Sequence, residues 1–185
     1  MPFIKTISYE ESEGKLRKLY DRVKGPNNNV DNVLSIHSLR PHSLTGHMTL
    51  YKAVLHNSNN TLPKWYLELI GVYVSGLNEC NYCVQHHSEG LKRLLNDNQL
   101  YDQMISCLNS DLTITDGLNQ KQLLGLKHAQ NITLHHAQIN QKEIDELRNV
   151  GFSDGEILEI NQVASYFNYV NRMVVGLGVD LHGDE

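Results

Sequence analysis

This chain has no uninterrupted apolar run approaching the roughly 18 residues that a membrane helix requires, so no membrane-spanning role is expected of it. It has no excess of basic charge either. Sixteen Lys and Arg stand against 21 Asp and Glu, a formal net charge of -5. A nucleic-acid partner calls for a basic face, and none is expected here. The opening residues Met1-Pro2-Phe3-Ile4-Lys5-Thr6 build no apolar stretch of the kind a secretory leader carries, and acid arrives by Glu10. No Gly-rich phosphate loop or Walker pattern occurs, and no strand–helix–strand alternation. Cysteine is scarce. The three present (Cys80, Cys83 and Cys107) are an odd number, unlike the framework of a secreted disulfide scaffold. These absences leave a cytoplasmic globular protein, 40% hydrophobic and 20% charged, whose 185 residues suffice for one core and are few for two domains.

What is present is helical. Ser8 with Glu11 reads as a capping box ahead of Leu16, Leu19, Tyr20 and Val23 at helical spacing, and Gly25-Pro26 ends that helix. Asn27 to Asn32 reads as a loop, residues 33–39 as a short helical turn, and 43–56 as a longer helix. Pro63 suits the first turn of the next helix, where a missing N–H costs nothing. That helix is apolar nearly all round, with Tyr66, Leu69, Ile70 and Tyr73 on one stripe and Trp65 and Val72 opposite, so it is predicted to be buried. A turn at Asn78-Glu79 leads into a helix from Cys80 to about Leu95. Further helices are predicted over 98–107 and 118–131. Leu134 to Ile139 is read as a loop. Asn140 with Glu143 and Ser153 with Glu156 are capping boxes for two more helices, the last running through Phe167 to Val174. The expectation is an all-α, single-domain helical bundle over 1–185, with an N-terminal helix and loop in 1–30 and a helix pair in 62–95.

Chemistry concentrates in that pair. Cys80 and Cys83 are three residues apart, and His87 follows Cys83 by four, so all three share one inward face of a helix. His86 lies about 100° away, with Tyr82, Glu89 and Arg93 on a more polar face, which makes His87 the favoured partner. Cysteines in a first helical turn feel unpaired backbone N–H groups that favour thiolate. That argument favours Cys80, while proximity to His87 favours Cys83, and the residues alone do not rank them. Glu68 sits on the preceding buried helix, where an unpaired carboxylate is costly, so it calls for a partner such as a histidine or a held water. A thiolate pair of this kind suits attack on a peroxide or disulfide, with the second thiol resolving the product. The same cysteines with His87 also supply three zinc ligands, although the second CxxC or HxxxH of a structural zinc site is missing. Cys107 is expected to pack as a small hydrophobe. His37, His42 and His47 are off helical register with one another and are expected in surface or capping roles. His135-His136 is expected on a solvated loop. Asn168, Asn171 and Arg172 fit either a site lining or a helix-end hydrogen-bond network.

The arrangement Glu68-x11-Cys80-x2-Cys83-x3-His87 resembles that of the AhpD-like alkylhydroperoxidases of the carboxymuconolactone decarboxylase superfamily. Leu62-Pro63, Tyr82-Cys83-Val84-Gln85-His86-His87, Ser38-Leu39-Arg40-Pro41-His42, Tyr51-Lys52-Ala53-Val54 and the run from Ala164 to Arg172 are similar to the peroxidase-related subgroup, over about residues 5 to 180. The resemblance implies an all-helical homo-oligomer that reduces hydroperoxides with no metal or organic cofactor. It implies Cys83 as the thiol oxidised to a sulfenic acid, Cys80 as the resolving thiol, His87 and Glu68 as a proton relay, and an external dithiol as reductant. Where the better-known pattern has a histidine before the second cysteine, this chain has Tyr82. Two other functions stay open: a redox-sensing or zinc-stabilised binding protein, and a decarboxylase-type enzyme of the same superfamily that works without a thiol.

Overall fold

The structure, a computed structural model, describes residues 2–184. Among the described residues there are nine α-helices, two 3-10 turns and no strand. The helices are α1 (Gly14–Tyr20), α2 (Asn32–Ser35), α3 (Pro41–Leu55), α4 (Lys64–Leu77), α5 (Asn81–Leu95), α6 (Asn98–Asn109), α7 (Gln120–Leu134), α8 (Gln141–Asn149) and α9 (Asp154–Gly176). They fall into two compact units, one of residues up to Ala53 together with those from Arg172 onward, the other Val54–Asn171. The all-α expectation holds, and the segment 134–139 is a loop with a 3-10 turn at His136–Gln138.

The first unit packs Leu16, Tyr20, Leu34 and Leu44 into a buried cluster, with Ile7, Val23, Val30 and Met48 around it. Here the local signals were partly overruled. Ser8 and Glu11 do exchange side-chain and backbone hydrogen bonds, but they close a turn, and α1 starts only at Gly14, after an N-cap at Glu13. His37 and His47 are buried with ring centroids 4.9 Å apart, which corrects the expectation of surface roles for these two. Burial lowers the affinity of both rings for a proton, that of His47 to a pKa of about 4. His42, between them in sequence, is exposed.

The second unit is built around α4, in which every residue from Tyr66 to Ser75 is buried. A helix apolar on all sides can satisfy itself only by being surrounded, as the sequence pattern required. One residue of α9 fixes its N-terminal end and two its C-terminal end. The Glu159 carboxylate accepts from the backbone N–H of Thr61 at 2.8 Å and of Leu62 at 2.9 Å, just before the N-cap Pro63. At the other end the Asn78 amide donates to the Oδ1 atoms of Asn168 and Asn171 at 3.1 and 3.0 Å, and Asn171 donates to Ser75 Oγ at 3.0 Å. Asn171 is buried, so this network satisfies groups that could not be left bare. Asn168 and Asn171 thus belong to a helix-end network, one of the two roles their spacing allowed.

Later elements follow their caps. Asn119 and Gln122 form a capping box for α7, and Ser153 and Glu156 exchange the expected bonds at the start of α9. Asn140 caps α8 by accepting from the Lys142 N–H, but Glu143 does not reach back to it. Its carboxylate binds Nδ1 of the buried His128, a tertiary partner that displaces the local one.

Candidate active site

The turn between α4 and α5 determines where the cysteines sit. The Glu79 N–H bonds to the Gly76 carbonyl at 3.0 Å and the Cys80 N–H to the Ser75 carbonyl at 2.9 Å, the paired bonds of a Schellman motif. The residue such a motif places in the left-handed region is Glu79, with φ +55°. Glycine is the usual occupant there because it carries no Cβ, so the chain accepts strain at this corner. The chain then enters α5 at once, with Cys80 as the N-cap making no side-chain capping bond. Asn81, Tyr82 and Cys83 form the first turn, whose N–H groups have no carbonyl partner within the helix.

Cys80 and Cys83 are joined as a disulfide with Cα atoms 5.4 Å apart, inside the span such a bond allows. Both are buried, at 1% and 3% exposure. One turn further along α5, His87 Nδ1 meets Glu68 Oε2 at 2.7 Å. The structure therefore brings Glu68 and His87 together across α4 and α5, with the disulfide one turn earlier on the same helix. A carboxylate that accepts the Nδ1 proton leaves Nε2 of the neutral ring as the free lone pair, the nitrogen able to take a proton from a thiol. In this oxidised form the sulfurs carry no proton to exchange. Among the described residues no hydrogen bond joins His87 to either of them.

Three further residues shape the dyad. The Phe167 ring of α9 meets His87 edge to face, with centroids 4.7 Å apart and planes at 83°. Gly71 of α4 leaves room for that ring: a Cβ at this position would collide with Phe167. Gly90, three residues beyond His87, lies against the Glu68 carboxylate, where a Cβ would stand 3.7 Å from Oε2, in ordinary contact. Phe167 and Gly71 escaped the sequence reading because an apolar residue on an apolar helix carries no local sign of what it touches. Tyr82 corrects the reading of its face as polar. It is buried and stacks on His86, with centroids 5.6 Å apart and planes at 14°. His86 touches the edge of His87 at 6.2 Å between centroids.

The other candidates lie apart from this constellation. Cys107 is free and fully buried, and burial raises its thiol pKa, as suits a packing residue. His135 and His136 are exposed. Among the described residues no group of three His, Cys, Asp or Glu side chains gathers as a metal site would require. No described helix is long and apolar enough to cross a membrane.

Helices of this order, with a disulfide at the head of the part-exposed α5 and a Glu–His pair joining α5 back to the buried α4, make up an AhpD-like fold. The solved structures bear this out. The chain is similar to an alkylhydroperoxidase AhpD core, an uncharacterized peroxidase-related protein from Ralstonia eutropha JMP134, with a TM-score of 0.82 and 22% identity over 97% of this chain and 91% of that one. It is similar to an uncharacterized peroxidase-related protein from Silicibacter sp. TM1040, with a TM-score of 0.76 and 25% identity over 96% and 87%. It is also similar to the debrominase Bmp8, with a TM-score of 0.72 and 17% identity over 90% and 85%. No protein-family model matches the chain, nor does any curated protein. The chain has the AhpD-like fold, shared by proteins called peroxidase-related and by a debrominase.

Proposed function

We propose that this protein is a thiol-dependent oxidoreductase that reduces hydroperoxides through the Cys80–Cys83 pair. The observation that carries the reading is the pairing of that dithiol with a Glu68–His87 dyad one turn along α5, its carboxylate buried and its imidazole partly so. In the reduced protein His87 Nε2 takes the Cys83 proton while Glu68 holds Nδ1. The Cys83 thiolate attacks one peroxide oxygen, so an S–O bond forms, the O–O bond breaks, and the departing alkoxide takes a proton to leave as alcohol or water. Cys83 is then a sulfenic acid. Cys80 attacks its sulfur, the S–S bond forms, and hydroxide leaves with a proton as water. An external dithiol reduces the disulfide and is itself oxidised to a disulfide. The dyad supplies acid–base help, commonly worth about 10²–10⁴-fold. On this reading the protein works in the cytoplasm as a homo-oligomer.

A second reading draws on the burial of both sulfurs. A closed pair that cycles slowly acts as a redox sensor rather than an enzyme. Steady-state reduction of cumene hydroperoxide and hydrogen peroxide with dithiothreitol or a dihydrolipoyl donor separates the two. The enzyme reading expects many turnovers, lost in Cys83→Ser. A single stoichiometric oxidation with no turnover supports the sensor, and full activity in Cys83→Ser overturns the thiol chemistry itself.

A further inference from the structure

Between α4, α5 and α6 runs a groove of about 600 Å³, within the size range of small-molecule sites. We propose that this groove binds an amphiphilic organic cation, its apolar body along the inner wall and its ammonium group at the Asp111 carboxylate. The groove lies on the Val84 and Ser88 side of α5, one position on from Cys83 and His87, and its occupant takes no part in the thiol chemistry.

The walls are the first argument. Val72, Leu77, Val84, Ile105 and Leu108 line the groove with aliphatic side chains, and Tyr73 and Tyr101 add aromatic rings. Val72, Tyr73 and Leu108 are buried, whereas Asn109 and Asp111 are exposed. An apolar floor thus leads to a polar rim, and Asp111 is the single formal charge among the described lining residues. That is the polarity of a molecule with a hydrocarbon body and one charged end.

Asp111 itself is the second. Its Oδ1 accepts from the Tyr73 hydroxyl at 3.2 Å and from the Gln130 amide, so two neutral donors hold the carboxylate in place. Both donors belong to buried residues. Burial, together with the Asp111 charge, pushes the Tyr73 pKa up, so its hydroxyl stays protonated and keeps donating. Among the described residues no hydrogen bond reaches Oδ2 and no cation pairs with this carboxylate. The two lysines beside the lining are engaged elsewhere: Lys127 donates to Gln130 Oε1, and Lys92 stands over the Tyr101 ring, 5.6 Å from its centroid. An anion fixed in advance with one oxygen open repels a carboxylate ligand and prefers an ammonium to a neutral group, because a charge-assisted hydrogen bond is the stronger one.

Two further features act in the same direction. The face of an aromatic ring attracts cations, and Tyr101 already draws one in Lys92. The net charge of -5 adds a long-range pull on positive ligands.

The test uses the full-length disulfide form at about pH 7, where a primary ammonium with a pKa of about 10 is charged. Phenethylammonium is titrated by calorimetry and by amide shifts at Val84, Ile105 and Asp111. Saturable binding that shifts these amides is expected, with phenethyl alcohol and phenylacetate, of similar shape, roughly tenfold or more weaker. Asp111→Asn keeps an Oδ1 to accept from Tyr73 and Gln130 but removes the charge. It is expected to weaken phenethylammonium roughly tenfold and to erase its advantage over the alcohol. Gly76 lines the groove with no atom within 4 Å of the place its Cβ would occupy, so Gly76→Leu puts a side chain into the space. It is expected to weaken binding as well, with a thermal midpoint that shows the variant to be folded. Absence of saturable binding, equal binding of phenethyl alcohol, or shifts confined to other amides each overturns the proposal. Unchanged binding in a folded Asp111→Asn or a folded Gly76→Leu does so too. Peroxide turnover, present or lost, bears on the thiol reading and not on the groove.

Discussion

Gly71→Ala is the substitution on which local and tertiary effects disagree most sharply. Helix propensity alone favours it: Ala in place of a helix-interior Gly stabilises by about 1 kcal/mol. Against this, the new Cβ would overlap the Cε2 and Cζ atoms of Phe167, a ring with no exposed surface into which to retreat. Overpacking a closed core costs about 1–3 kcal/mol. The balance falls on the destabilising side, a loss of about 1 kcal/mol, or a fall of roughly 2–4 °C in thermal midpoint for a chain of this size. The displaced ring is the one packed edge to face with His87, so the dyad is disturbed as well. A misplacement of about 1 Å near a reacting group can cost up to about 10²-fold, and turnover is expected to fall by roughly tenfold or more. Urea denaturation and steady-state kinetics read the two effects. Gly76→Ala, in the same helix but in open space, serves as the contrast and is expected not to lose stability. If Gly71→Ala proved more stable than the parent by about 1 kcal/mol, propensity would have won and the wedge of Phe167 between Gly71 and His87 would carry no weight.

Other substitutions probe the remaining links. Glu68→Gln keeps the shape of the dyad but removes the carboxylate that holds His87 Nδ1, and it is expected to lower turnover by about 10²-fold with the helical circular dichroism retained. Unaltered turnover would remove Glu68 from the relay. Glu79→Gly relieves the left-handed corner and is expected to stabilise by about 0.5–1 kcal/mol in urea denaturation; a loss of stability would mean that the Glu79 side chain matters more than its strain. The depressed pKa of His47 gives a pH dependence whose sign is fixed. Above about pH 6.5 the ring is neutral folded or unfolded, and as pH falls toward about 4 the unfolded chain takes up the proton first, so stability is lost across that window. The loss from this residue is on the order of 3 kcal/mol, and His47→Leu is expected to flatten the slope. A slope that survives His47→Leu would assign the acid sensitivity elsewhere.

Much of this architecture is legible in the sequence, and its limits have physical causes. The apolar girdle of α4 announced a buried helix, and a carboxylate on such a helix had to find a partner, which the structure identifies as His87. Ser153 and Glu156 cap α9 as read because the tertiary partner Lys121 takes Oε1 of Glu156 and leaves Oε2 to the Ser153 N–H. Glu143 shows the opposite outcome: its local partner Asn140 lies within reach, yet a buried imidazole takes the carboxylate. His37 and His47 were expected near solvent because histidine is only sometimes interior, and nothing in their spacing marked them as a buried pair in ring contact. Tyr82 reads as a polar-face residue by helical angle, but its ring finds cover on His86. Gly71 and Gly76 are alike in sequence, one required by a ring from a distant helix and the other standing in open space, a distinction that only the packing draws.

The central claim is that Cys80 and Cys83 act together on a hydroperoxide. The direct measurement is intact mass with peptide mapping of the dithiol-reduced protein after one equivalent of cumene hydroperoxide. A loss of two hydrogens, mapped to a Cys80–Cys83 bond and reversed by dithiothreitol, is the expected result. A gain of two or three oxygens on one cysteine with the other left as a free thiol would contradict it.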